Sequence, residues 1–154
     1  MKISEILDKR GIKINLEAST KEDTLKELVA VLAQMENIGD PKSIVKALLE
    51  RESLGSTGIG QGIAIPHGKT DKVNRLVAVL GISKKGINFD ALDGEPVYIF
   101  FLLVAPKDTA GPHLKALAQI SRLLRDSYFC ELIRRCDTPE QVFTLIKNEE
   151  EKRH

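Results

Sequence analysis

Very little charge of either sign is left over in this chain. Its 23 basic side chains face 22 acidic ones, for a net charge of +1. So even a balance gives no electrostatic footing for nucleic acid or for an anionic membrane surface. Cysteine is scarce as well. The two present, Cys130 and Cys136, stand six apart and match no CxxC or zinc spacing. They read as buried or half-buried free thiols in a reducing, cytoplasmic setting. Long hydrophobic runs are missing too. VYIFFLLVA, residues 97–105, is too short to cross a bilayer and reads as a buried strand. MKISEILDKR, at the start, lacks the apolar stretch of a signal peptide. There is no internal repeat, low-complexity tract or linker. One domain is expected over 1–150, with 151–154 as a tail. The whole charged segment NEEEKRH, 148–154, reads as frayed.

What remains is an ordinary globular composition, 42% hydrophobic and 29% charged, at a length of 154 that suits one sizeable core. SEILDKR reads as a short helix and IKINL, 12–16, as a strand. Ser19 and Glu22 have capping-box spacing ahead of a stripe of Leu25, Leu28, Val29, Leu32 and Ala33. Asp40-Pro41 starts a second helix whose inner face is Ile44, Val45, Leu48 and Leu49, ending near Ser53 to Gly55. IAI, 63–65, is a very short strand. LVAVLGI, 76–82, and VYIFFLLVA are central strands covered on both faces. Gly111-Pro112 opens a further helix with a stripe of Leu114, Leu117, Ala118, Ser121 and Leu124. Two more helices follow, over 127–135 and from Thr138-Pro139 through Val142, Leu145 and Ile146. Helices grouped around a few buried strands without a regular βαβ repeat predict a single-domain, three-layer α/β/α fold with a mixed central sheet.

The densest signal is GSTGIGQGIAIPHGKTDK, 55–72. Its glycines invite a nucleotide reading, and spacing rejects it. Gly68-Lys69-Thr70 ends like the phosphate loop G-x-x-x-x-G-K-S/T, but the first glycine would fall on Ile63. Pro66 also removes an N–H from the would-be cradle. The dinucleotide pattern G-x-G-x-x-G fails at Ile63 or at Ile65. The serine elbow G-x-S-x-G around Ser56 fails at Leu54.

Histidine is the other source of chemistry, and there are three. His154 is the last residue and reads as disordered. His67 and His113 both sit in Gly/Pro-marked turns. His67 follows a short apolar strand directly, and the surrounding glycines would clear room for a partner. Two histidines without a paired cysteine or third histidine do not make a ligand set, so no metal and no other cofactor is expected. His113 falls in the first turn of a helix, where free N–H groups and the dipole favour an anion and disfavour imidazolium. A neutral imidazole still donates one hydrogen bond. These features suit in-line phosphoryl transfer to an imidazole nitrogen. Arg51 lies about 90° from the centre of its helix's apolar stripe, at an edge where it can reach inward or stay solvated. Arg122 and Arg125 fall on a polar face and read as surface charges. Gly58, Ile59, Gly60, Ile63 and Ile65 are expected to form an apolar rim for a docking protein.

RESLGSTGIGQGIAIPHGK, 51–69, FDALDGEPV, 89–97, and GPHLKALAQISRLLRD, 111–126, resemble the IIA domains of the fructose/mannitol class of the phosphoenolpyruvate-dependent sugar phosphotransferase system, nearest to its nitrogen-regulatory branch. The resemblance covers nearly the whole chain and implies the same α/β/α fold. It also implies a phosphorelay in which a small histidine phosphocarrier, HPr or its nitrogen-branch counterpart NPr, phosphorylates His67 on Nε2. His113 would support the phosphoryl group without carrying it, and Arg51 would stabilise it. Ser56, Thr57 and Gly60 would be further contacts. Regulated targets in such a family include potassium transport systems and sensor kinases. No IIB or IIC segment is seen, which fits a stand-alone regulator. The alternatives are a sugar-transport IIA component that passes phosphate to a IIB domain, and a binding module whose histidine is no longer phosphorylated.

Overall fold

A computed structural model describes residues 2–152; His154 lies outside them. Six strands form one mixed sheet. They are β1 (Leu7–Lys13), β2 (Gly58–Gly60), β3 (Ile63–Ala64), β4 (His67–Thr70), β5 (Val77–Ile87) and β6 (Val97–Pro106). β5 and β6 pair antiparallel at the centre, and β1 pairs parallel with β5. On the far side of β6, β3 and then β4 run parallel to it, and β2 pairs antiparallel with β3. β3 and β4 therefore make one interrupted line alongside β6, broken at Ile65-Pro66.

The alternation of side chains along the strands builds a separate core on each face of the sheet. Ala78, Leu80 and Ile82 of β5, with Ile99, Phe101 and Leu103 of β6, face one side. There they meet α4 (Ala110–Leu123), α5 (Ser127–Arg134), α6 (Pro139–Lys152) and the short α1 (Ile3–Ile6). Val77, Val79, Phe100, Leu102 and Val104 face the other side, under α2 (Lys21–Met35) and α3 (Pro41–Ser53). This is the expected three-layer α/β/α arrangement.

Several local expectations shift. Thr20 rather than Ser19 caps α2, accepting from the Asp23 N–H, and Ser19 Oγ instead bonds the Lys85 ammonium at 2.8 Å. The first strand begins at Leu7, inside the stretch read as helix, and ends before Asn15, which holds a positive φ of 64°. Gly11 permits this early start, since a Cβ there would lie 3.2 Å from the Ala78 carbonyl oxygen and closer still to Met35. The buried face of α4 is His113, Ala116, Ile120 and Leu123, so the stripe is rotated from the expected one and Leu114 is 68% exposed. The segment from 148 is not frayed through Lys152, because Glu150 is buried and its carboxylate accepts N–H bonds from Ile3 and Ser4.

Candidate functional site

α3 is fixed at its start by Asp40, whose side chain accepts from the Lys42 N–H, with Pro41 in the first helical position. Its inner residues Ile44, Val45 and Leu48 are buried, and the helix stops at Ser53. That places Arg51 and Glu52 in the last turn, side by side above the glycine loop. The two point to different tasks.

Glu52 is 7% exposed. Its carboxylate accepts from the Thr57 N–H at 3.2 Å, bonds the Thr57 hydroxyl, and pairs with Lys21 at 3.0 Å. Reading the sequence missed this residue. The available signal was a carboxylate one step round the helix from Arg51, next to the buried face. Glu52 pins Thr57, and the Thr57 carbonyl accepts from the Ile65 N–H at 3.0 Å, so the loop is tied to the chain that leads into His67.

Three of the loop glycines, Gly58, Gly60 and Gly62, stand close against other parts of the molecule. Gly58 is buried, and a Cβ there would sit 2.9 Å from the Ala91 backbone. Gly60 has φ of 97° and faces the Asp93 carboxylate. Ser56 donates to the Phe89 carbonyl and accepts from the Gly58 N–H. The hydroxyls of Ser56 and Thr57 are thus committed within the loop. The expected rim also changes. Ile63 and Ile65 are core residues at 3% and 4% exposure, while the exposed large apolar side chains are Leu54, Ile59, Leu92, Leu114 and Tyr128.

His67 does not sit in a turn. It opens β4, opposite Leu103 of β6, so the sheet holds its backbone. Its Nδ1 lies 2.8 Å from the Ile65 carbonyl, and Arg51 Nε lies 3.3 Å from its Nε2. A carbonyl only accepts and a guanidinium only donates. The pair therefore fixes the tautomer, with the proton on Nδ1 and the lone pair on Nε2. Arg51 is itself held by a 2.8 Å bond from Nη1 to the Gly55 carbonyl.

His113 comes in from the first turn of α4. Its ring stands edge-on to that of His67, with centroids 5.5 Å apart and planes at 74°. It is buried, and its Nε2 has no hydrogen-bond partner among the described residues. Burial pushes its pKa down to about 4, helped by the His67 and Lys69 charges. The pKa of His67 is also lowered, by burial first and then by Arg51, against the raising effects of the Ile65 carbonyl and of Glu52. Both rings are neutral near pH 7. The structure thus brings His67, His113 and Arg51 together. The arrangement offers one nucleophilic nitrogen, one fixed cation beside it, and one buried imidazole nitrogen without a partner. Among the described residues no cluster of three or more His, Cys, Asp or Glu is placed to hold a metal, and no helix is long and apolar enough to cross a membrane.

The family model for the phosphoenolpyruvate-dependent sugar phosphotransferase system, EIIA 2, matches residues 5–149. The nitrogen regulatory protein of Bradyrhizobium diazoefficiens is 34% identical over 95% of each chain. The fructose-specific EIIABC component of Bacillus subtilis is 37% identical over 95% of this chain, which spans only 23% of that longer protein. The crystal structure of nitrogen regulatory protein IIA-Ntr from Neisseria meningitidis superimposes with a TM-score of 0.86 at 30% identity, over 94% of this chain and 98% of that one.

Proposed function

The chain belongs to the EIIA type 2 family of the phosphoenolpyruvate-dependent sugar phosphotransferase system, and from that premise we propose that it is a phosphorelay protein of the nitrogen-related branch. It accepts a phosphoryl group from a histidine phosphocarrier, HPr or NPr, on Nε2 of His67. Its phosphorylation state then regulates partner proteins, with potassium transporters and sensor kinases as the expected kinds of target. The observation that carries this reading is the pair of bonds on His67, which leaves the lone pair on Nε2 beside Arg51.

In the transfer, the Nε2 lone pair forms the new N–P bond while the bond from phosphorus to the donor imidazole breaks. The electron pair of the broken bond leaves with the donor nitrogen. Positive charge grows on the His67 ring as Nε2 attacks, and the Nδ1–H bond to the Ile65 carbonyl stabilises it. Arg51 draws off charge developing on the phosphoryl oxygens. His113 is neutral, so its unpartnered Nε2 can carry a proton and donate it in a hydrogen bond to one of those oxygens. Ser56, Thr57 and Gly60 would act by shaping the loop, since their groups are engaged there.

The test is incubation with phosphoenolpyruvate, enzyme I and either HPr or NPr, followed by mass measurement. An acid-labile mass increase is expected with wild type and none with His67→Ala. Label on His67→Ala would sink the assignment. The 37% identity to a fructose-specific component supports a second reading, a sugar-transport IIA component. Passage of the label to a fructose IIB domain would favour it.

A further inference from the structure

Lys69 lies two residues beyond His67 on β4, and the sheet decides which way it faces. The intervening Gly68 points at α3, where a Cβ would lie 3.3 Å from Leu48. His67 and Lys69 therefore share the opposite face, the one covered by α4 and His113. The register agrees, because His67 pairs with Leu103, a residue of the α4-side core, and Gly68 pairs with Val104, a residue of the α3-side core.

We propose that Lys69 is a further phosphoryl-binding residue, whose ammonium pairs with the oxygens carried on His67 Nε2. The inference rests on the phosphorelay reading. A phosphoryl group brings about one and a half to two negative charges, and Arg51 supplies one positive charge at Nε2. His113 is neutral, so it contributes a donor and no charge. Glu52 is paired with Lys21 and bonded to Thr57, so the nearest carboxylate does not compete for a cation. Lys69 is exposed, and among the described residues its ammonium has no ion-pair or hydrogen-bond partner. Its charge is already felt at the His113 ring.

Reach fits as well. Residues two apart on a strand are separated by about 7 Å. A lysine ammonium on its four-carbon stem spans that gap and can turn toward a group that is present only part of the time. Lys69 makes and breaks no covalent bond and moves no proton. It lowers the free energy of the phosphorylated state relative to the unphosphorylated one.

The consequence is read in an equilibrium. Purified phosphorylated carrier is mixed with wild type, Lys69→Ala, Lys69→Gln and Lys69→Arg, and the phosphoryl group is allowed to distribute between the two proteins. Removing one partly exposed ion pair should shift the distribution toward the carrier by about 2- to 5-fold in the Ala and Gln variants. Lys69→Arg should restore it, the shift should shrink at high salt, and all variants should melt like wild type. An unchanged distribution overturns the proposal. So does a loss shared by Lys69→Arg, which would indicate packing. A slower approach to the same distribution would assign Lys69 to docking the carrier and overturn it too. Wild type that takes no label at all overturns the phosphorelay reading itself, and the role of Lys69 with it.

Discussion

At the scale of single residues, the site depends on keeping an imidazole neutral. The pKa of His113 is about 4 in the folded chain, against 6.5 for an unrestrained histidine, and burial is the main cause. Between those values the unfolded chain binds a proton at this residue and the folded chain does not. Stability is therefore complete above about pH 6.5 and falls as pH drops toward 4. The full span is worth ~3 kcal/mol. His67, lowered for the same leading reason, acts in the same direction. Asp8, Glu27 and Asp93 have lowered carboxyl pKa values, so their loss comes at lower pH. Thermal melts between about pH 7 and pH 5 should isolate the histidines. His113→Gln should flatten the decline there, and an equally steep decline would remove the argument. Arg51 gives a second residue-scale prediction. Arg51→Lys keeps the charge but loses the planar fork that reaches both His67 Nε2 and the Gly55 carbonyl. Label uptake should slow by about 10-fold or more, while the melting temperature stays near that of wild type. Uptake at the wild-type rate would show that charge alone suffices.

At the scale of elements, Gly58, Gly60 and Gly62 of the glycine loop stand where neighbours approach closely rather than in open space. The buried Gly58 meets the Ala91 backbone at 2.9 Å from where a Cβ would stand, and backbone cannot swing aside as a side chain can. Gly58→Ala should cost about 1–3 kcal/mol by overpacking, seen as a lower urea midpoint with an unchanged slope. A neutral result would mean that segment 91–93 moves freely. The same loop shows where the sequence was legible. Helices with capping chemistry and apolar spacing, such as the one opened by Asp40-Pro41, could be read almost to the residue. The two long apolar strands could be read as well. β4 could not, because Pro66 and Gly68 are turn residues locally, and only pairing with β6 makes His67–Thr70 a strand. The face of α4 was misjudged for a related reason. Leu114 is apolar but 68% exposed, while the buried position belongs to His113. A histidine on an inner face and a leucine on an outer one invert the usual hydrophobic signal. His67 and Arg51 could be picked out as candidates, but their contact across 16 residues is a property of the fold. Glu52 was hidden because its value lies in what it ties together.

At the scale of the whole molecule, the sheet separates two functions. β4 and the paired histidines occupy one edge, and β1 occupies the other. At the β1 edge α1 and α6 meet, where the buried Glu150 of α6 accepts N–H bonds from Ile3 and Ser4. α1 has only four residues, and its N-cap Lys2 supplies no side-chain bond. A helix that short is not stable alone. Glu150 stands in for the missing cap, a carboxylate at a helix N-terminus supplied from far along the chain. Two charge-assisted bonds to a buried group make Glu150→Ala cost about 2 kcal/mol, or about 4–8 °C in melting temperature at this chain length. Glu150→Gln keeps the shape and one acceptor and should lose less. Because β5 and β6 lie between this edge and His67, neither variant should alter the extent of labelling by a phosphocarrier at a temperature where both remain folded. If labelling falls together with stability, the two edges are coupled through the sheet, and Glu150 belongs to the functional architecture as well as to the fold.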